Sequence, residues 1–205
     1  NSEPAVGLGF TIEVQDEFGN TVIEDSSTRI ILNGVGAGNE VLSGTLTKIV
    51  NEGVATFVDI SYDRAGPLTL GASSLPVLIG ISDVVIEIVA GPATAFEVHL
   101  IEAAGEAVSV RAGQVMDMTV QARDGLGNLA RQYNRTVQFS LVTERHAEAQ
   151  RPGGTALVEG YWSFISQVRF VTKGQQCIEV YDPRDIAVRG DACVEVQAVD
   201  TERLL

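Results

Sequence analysis

The sequence is poor in the residue types from which catalytic and metal centres are usually built. Histidine occurs twice, as His99 and His146, and cysteine twice, as Cys177 and Cys193. No His/Cys group has zinc spacing. The signatures of hydrolases, kinases and phosphate loops are missing as well. Basic residues are scarce: 14 Lys and Arg stand against 27 Asp and Glu, for a net charge of −13. Phosphate recognition needs a basic face, so nucleic acid is not an expected partner. An anionic membrane surface is disfavoured on the same ground. No segment approaches the ~20 apolar residues of a membrane helix. The longest apolar run, Leu75–Ile81, is broken by Pro76 and Gly80. Membrane insertion is therefore not expected. No signal peptide opens the chain, which starts at Asn1; both a removed leader and a trimmed chain stay open. No amphipathic helix stands out. Thr143–Gln150 (TERHAEAQ) has helix formers but runs into Pro152 and two glycines, and reads as a loop or at most one turn.

What is present is a β pattern. Hydrophobic residues make up 45% of the chain, enough for a core, and its 21 glycines suit turns rather than helices. Phe10, Ile12 and Val14 alternate with polar residues. So do Phe96, Val98 and Leu100, then Met116, Met118, Val120 and Ala122, then Val137, Phe139 and Leu141. Trp162, Phe164, Val168 and Phe170 continue the series, followed by Ile178 and Val180, and by Val194, Val196 and Ala198. One apolar and one polar face per strand describes antiparallel sheets over a shared core. Trp162 is expected to be buried by this alternation, and His99 to face solvent.

The chain also repeats itself. FTIEVQDEFGNTV (Phe10–Val22) returns as MTVQARDGLGNLA (Met118–Ala130). Asp16, Gly19 and Asn20 map onto Asp124, Gly127 and Asn128 at an offset of 108, as Thr28 maps onto Thr136, Gly66 onto Gly174 and Glu87 onto Glu195. Phe57 and Phe164 differ by 107, a one-residue slip in an intervening loop. In both Asp-x-x-Gly-Asn segments the Asp can bond the backbone two residues on, and Gly takes positive φ, which makes a turn leaving a strand. The expected division is 1–91 and 92–205, joined at AGPAT (Ala90–Thr94) by a short linker of limited freedom. About seven strands per unit fit an all-β chain of two tandem immunoglobulin-like antiparallel β-sandwiches.

VQDEFGNTV, VQARDGLGN and the stretch LSGTLTKIVNEGVATFVDISYDRAGPLTLGASS together resemble bacterial immunoglobulin-like repeats of invasin- and intimin-type adhesins and other large surface proteins. The matching marks are the turn Gly44-Thr45, the strand Gly53–Phe57 and Gly66 to Leu70. The second unit departs from the pattern, with GYWSF (Gly160–Phe164) and no clear GT turn. The resemblance implies an extracellular, non-enzymatic structural or adhesive module. It leaves stalk, spacer and binding tip equally open.

Cys177 and Cys193 fall on the last two strands of the second unit, each pointing away from the apolar face. A hairpin around Pro183–Ile186 would set them opposite one another, where a disulfide is reasonable. Closing a loop of about 15 residues would stabilise by roughly 3 kcal/mol and imply an oxidising compartment. Two free thiols are the alternative. No cofactor is expected. Calcium oxygens could come from Asp16, Glu17, Asp59 and Asp63, or from Asp182, Asp185 and Asp191, but no calcium-loop spacing is present, so solvated carboxylates are expected. GVGAGNE (Gly34–Glu40) reads as a flexible loop. His146 lacks an evident nucleophile partner. Asn134-Arg-Thr136 is a glycosylation sequon.

The second unit opens with a strand at Thr94–Ile101 whose counterpart, 108 positions earlier, does not exist in the sequence. The first unit therefore reads as lacking its first strand. One explanation is a chain cut from a longer protein; another is a strand donated by another chain, as in an extracellular filament. The expected partners are neighbouring domains or subunits of the same protein, and a host or cell-surface protein or glycan. A carbohydrate- or protein-binding module and an accessory domain of a large enzyme remain alternatives to a spacer.

Overall fold

The computed structural model describes residues 6–36, 42–78, 83–102 and 105–199. The chain divides into two compact units, Asn1–Val89 and Ala90–Leu205. Both are β-sandwiches of the immunoglobulin-like class, and no helix occurs among the described residues.

In the first unit β1 (Val6–Glu13) pairs antiparallel with β4 (Val54–Tyr62). The facing sheet has the order β3-β2-β5-β6, from Thr47–Ile49, Arg29–Gly36, Gly66–Leu75 and Val84–Ile88. Strand alternation sends Ile30, Leu32, Phe57, Ile60 and Leu68 into one core, with Phe10 stacked on Phe57.

The second unit holds β7 (Ala95–Glu102), β8 (Gly105–Glu106), β9 (Ser109–Arg111), β10 (Val115–Arg123), β11 (Thr136–Leu141), β12 (Thr155–Ala156), β13 (Tyr161–Arg169), β14 (Gly174–Asp182) and β15 (Asp185–Gln197). One sheet has the order β13-β10-β7-β8 and the other β12-β11-β14-β15-β9, in which β9 runs parallel to β15. Phe96, Val98, Leu100, Met116, Met118, Val120, Phe139, Phe164 and Val180 are buried together.

The two units share backbone detail. Glu52-Gly53 and Glu159-Gly160 form the same turn, with φ of 52° and 77° in one and 49° and 73° in the other. Pairing is irregular at the same place in both units, between Leu8 and Phe10 and between Met116 and Met118. There β13 holds one residue more than β4. The strand absorbs it as a bulge near Ser166, at φ 53°, whose N–H donates to Asp117 Oδ1 at 2.7 Å.

Several expectations need correction. Trp162 lies opposite buried Val120, yet it is 39% exposed. β13 is the edge of its sheet, so the large indole is covered from one side only. Gly34–Gly36 are strand, not loop: they pair with Leu70, Thr69 and Leu68. A Cβ on Gly34 would come within 2.7 Å of Leu42, so close packing explains that glycine. Residues 37–40 of the same stretch, and 79–81 of the apolar run, lie outside the described residues. His99 is not simply solvent-facing. It is held 3.2 Å from both Glu97 and Glu106, which raise its pKa through their hydrogen bonds, Glu106 foremost. Thr143–Gln150 is irregular backbone, without a helix.

Candidate functional site

The two Asp-x-x-Gly-Asn turns share one hydrogen-bond plan. Asp16 Oδ1 accepts the N–H of Phe18 at 2.9 Å and of Asn20 at 2.8 Å, and Asn20 Nδ2 donates to Oδ2 at 3.0 Å. Asp124 Oδ1 accepts Leu126 N–H at 2.9 Å and Asn128 N–H at 2.8 Å, and Asn128 Nδ2 donates to Oδ2 at 3.1 Å. Gly19 and Gly127 sit at φ 85° and 83°, where a side chain would be strained.

Their surroundings differ. Asp16 and Asn20 are exposed, whereas Asp124 and Asn128 are buried. The cover is the segment that enters the second unit. Gly91 N–H donates to Asp124 Oδ2 at 2.9 Å, and Gln132 Nε2 donates to the carbonyls of Ala90 at 3.0 Å and Gly91 at 2.5 Å. Thr94 N–H then bonds Arg123 O at 2.8 Å, and the chain continues as β7 along β10. Burial pushes the Asp124 carboxyl up, but the bonds from Asn128, Gly91 and Leu126 outweigh it and hold the pKa below the usual aspartate value. Asp16 is also lowered, chiefly by Asn20.

Cys177 and Cys193 are direct cross-strand partners in β14 and β15 and are joined in a disulfide, with a Cα–Cα distance of 4.1 Å. The turn of that hairpin is Pro183–Arg184. Of the carboxylates weighed for calcium, Asp16 is occupied by its turn. Asp59 accepts Thr45 N–H at 3.1 Å and the Thr45 hydroxyl at a very short distance. Asp182 is not a solvated loop carboxylate: it is fully buried, accepting Tyr133 O–H at 2.9 Å and Arg184 N–H at 2.8 Å, with Arg135 3.4 Å away. Asp185 accepts Ala187 N–H, and Asp191 lies 3.7 Å from Cys193 Sγ. Among the described residues no three His, Cys, Asp or Glu side chains group as metal ligands.

One residue that matters escaped sequence reading. Glu144, in the TERHAEAQ loop, is 2% exposed. Its carboxylate accepts N–H groups from Arg145 (2.9 Å), His146 (2.8 Å), Val171 (2.7 Å) and Thr172 (2.8 Å), plus the Thr172 hydroxyl at 2.6 Å. Burial opposes its ionisation, but these donors win and hold the pKa at about 2. Glu144 thus ties its own loop to the β13–β14 connection. Asn134 of the sequon is exposed, with both polar side-chain atoms engaged: Oδ1 accepts Glu159 N–H and Nδ2 donates to Gln132 O.

No protein-family model matches the chain, and no curated protein does. Among solved structures it is similar to the adhesin InvE of Yersinia pseudotuberculosis, at 14% identity over 95% of this chain and 55% of that one, TM-score 0.40. It is similar to the Escherichia coli adhesin FdeC, at 16% identity over 93% and 59%, TM-score 0.43. It is also similar to a β-glycosidase from Bacteroides vulgatus, at 11% identity over 93% and 25%, TM-score 0.43. The chain therefore spans 25–59% of the length of these proteins. A likeness this distant, shared by adhesins and an enzyme alike, carries no argument about activity.

Proposed function

We propose that this chain is a non-enzymatic spacer module of an extracellular or cell-surface protein. The observation that carries the reading is the doubled turn. The same five-residue loop occurs in both units, and in the second its Asp124 accepts Gly91 N–H from the segment that leads into the unit, which Gln132 also holds. That is a building rule suited to strings of units. The disulfide on the exposed side of β14 and β15 fits an oxidising compartment. The buried carboxylates Glu144 and Asp182 are committed to backbone N–H groups and to Tyr133, which is a structural use of charge. Sedimentation across a concentration series, with electron microscopy of the same samples, tests the reading. A spacer stays monomeric throughout. Concentration-dependent rods would replace it with a filament subunit.

A binding module is the second reading, favoured by the half-exposed Trp162 on the edge strand β13 of the second unit. Trp162 is the sole tryptophan, so quenching of its fluorescence by a glycan or protein ligand would report that edge directly.

A further inference from the structure

The two sulfurs of the disulfide sit in unequal surroundings. In its sheet β15 lies between β14 and β9. Cys193 on β15 is exposed, whereas Cys177 on β14 is half-buried. Val142 N–H bonds the Cys177 carbonyl, and Cys177 N–H donates to the Thr143 hydroxyl, so that segment runs along the Cys177 side. Beside Cys193 the surface dips instead. A shallow depression of about 310 Å³ is lined there by Glu106, Ala107 and Val108, from the crossing between β8 and β9, and by Gln175 and Glu195. Its charge is of one sign. Asp191, Cys193 and Glu195 alternate along β15 and share its exposed face. Asp191 Oδ2 is 3.7 Å from Cys193 Sγ. Among the described residues neither Asp191 nor Glu195 is in an ion pair. Glu106 lies 3.2 Å from His99, and Arg189 lies 3.8 Å from Glu179 rather than beside the sulfur.

We propose that Cys193 Sγ is a thiol-exchange site in the folded chain, and that the thiols it takes are small aminothiols carrying a cationic head. A thiolate attacks a disulfide sulfur along the axis of the bond that breaks. That bond runs from β15 to β14, so attack on Cys193 comes from the side away from β14, where the depression lies. Attack on Cys177 would have to pass Val142 and Thr143. In the step a new S–S bond forms between the thiolate and Cys193 Sγ. The Cys177–Cys193 bond breaks, and its electron pair leaves on Cys177 Sγ, which takes a proton from water. One disulfide is exchanged for another, so no outside oxidant or reductant is consumed. Selectivity follows from the lining. Ala107 and Val108 offer an apolar surface to a short carbon chain, and Glu106 and Glu195 offer carboxylates to an ammonium group. A thiol bearing its own carboxylate meets Asp191 and Glu195 with no cation between.

The test follows reaction of the full, folded chain with cysteamine, mercaptoethanol and mercaptopropionate. Each rate is divided by the same thiol's rate on a small uncharged disulfide, which removes differences in thiolate fraction and intrinsic reactivity. Cysteamine should then be fastest and mercaptopropionate slowest, about tenfold apart at low salt and about twofold apart at high salt. Acid quenching and peptide mass mapping should find the first adduct on Cys193. The double variant Asp191→Asn, Glu195→Gln should bring mercaptopropionate close to cysteamine. Three results would each overturn the proposal: normalised rates of the native chain within about twofold at low salt, a first adduct on Cys177, or rates independent of thiol concentration, which mark attack only after unfolding.

Discussion

Replacing Glu144 with Gln should loosen the second unit selectively, and by an amount the structure sets. The side chain is 2% exposed and accepts four N–H groups and one hydroxyl. An amide of the same shape keeps one acceptor oxygen and turns an NH2 toward groups that are themselves donors. Leaving a buried donor unsatisfied costs about 1–3 kcal/mol. Titration bounds the effect independently. The carboxyl ionises at about 2 in the fold rather than at its usual 4.5. At 1.36 kcal/mol per unit that is about 3 kcal/mol, or about 2 after allowing for water near a surface loop. Because the folded pKa is depressed, the contribution is complete above about pH 4.5 and is lost as the pH falls toward 2. Glu144→Gln should therefore lower stability by about 2 kcal/mol at pH 7 and by about 1 kcal/mol at pH 3. Urea unfolding followed by Trp162 reads this cleanly, since the one tryptophan belongs to the second unit. Equal losses at both pH values, or a loss below about 0.5 kcal/mol at pH 7, would refute the reasoning.

Other substitutions probe the remaining contacts. Asp124→Ala should cost about 2 kcal/mol, through the bonds to Gly91, Leu126 and Asn128, and should lower the melting temperature of the second unit by several degrees; Asp16→Ala should have a smaller effect on the first, measured by calorimetry. Reducing the Cys177–Cys193 bond should lower the stability of the second unit by about 3 kcal/mol in urea titrations with and without reductant, leaving the first unit's transition in place. Gly190→Ala would set a Cβ 1.9 Å from the Phe96 carbonyl and should cost about 1–3 kcal/mol, while Gly153→Ala, with open space around it, should change nothing in the same thermal melt.

The strand cores were legible because alternation states directly which side chains face inward. Phe96, Val98, Leu100, Met116 and Met118 are buried as their period-two spacing requires. The paired turns were legible because turn chemistry is local: an Asp, a Gly and an Asn within five residues suffice to build the loop. What lay hidden depends on distant segments. Glu144 looks like any loop acid until Val171 and Thr172 fold across it. Asp182 reads as a solvated carboxylate, yet it is buried against Tyr133, 49 positions away. Trp162 follows the inward pattern and is still half-exposed, because alternation gives direction and says nothing of a missing neighbour strand. The contrast between Asp16 and Asp124 is of the same kind: identical local chemistry, separated only by what lies on top.

Pulling single molecules of the chain from its two ends tests the spacer reading most directly. Two independent sandwiches should give two separate unfolding steps at resisting forces. The disulfide bridges a sequence separation of 16, so one step should be shorter by about 55 Å under oxidising conditions and recover that length with reductant. A single merged step, extension without resistance, or step lengths insensitive to reductant would contradict a pair of units that resists force.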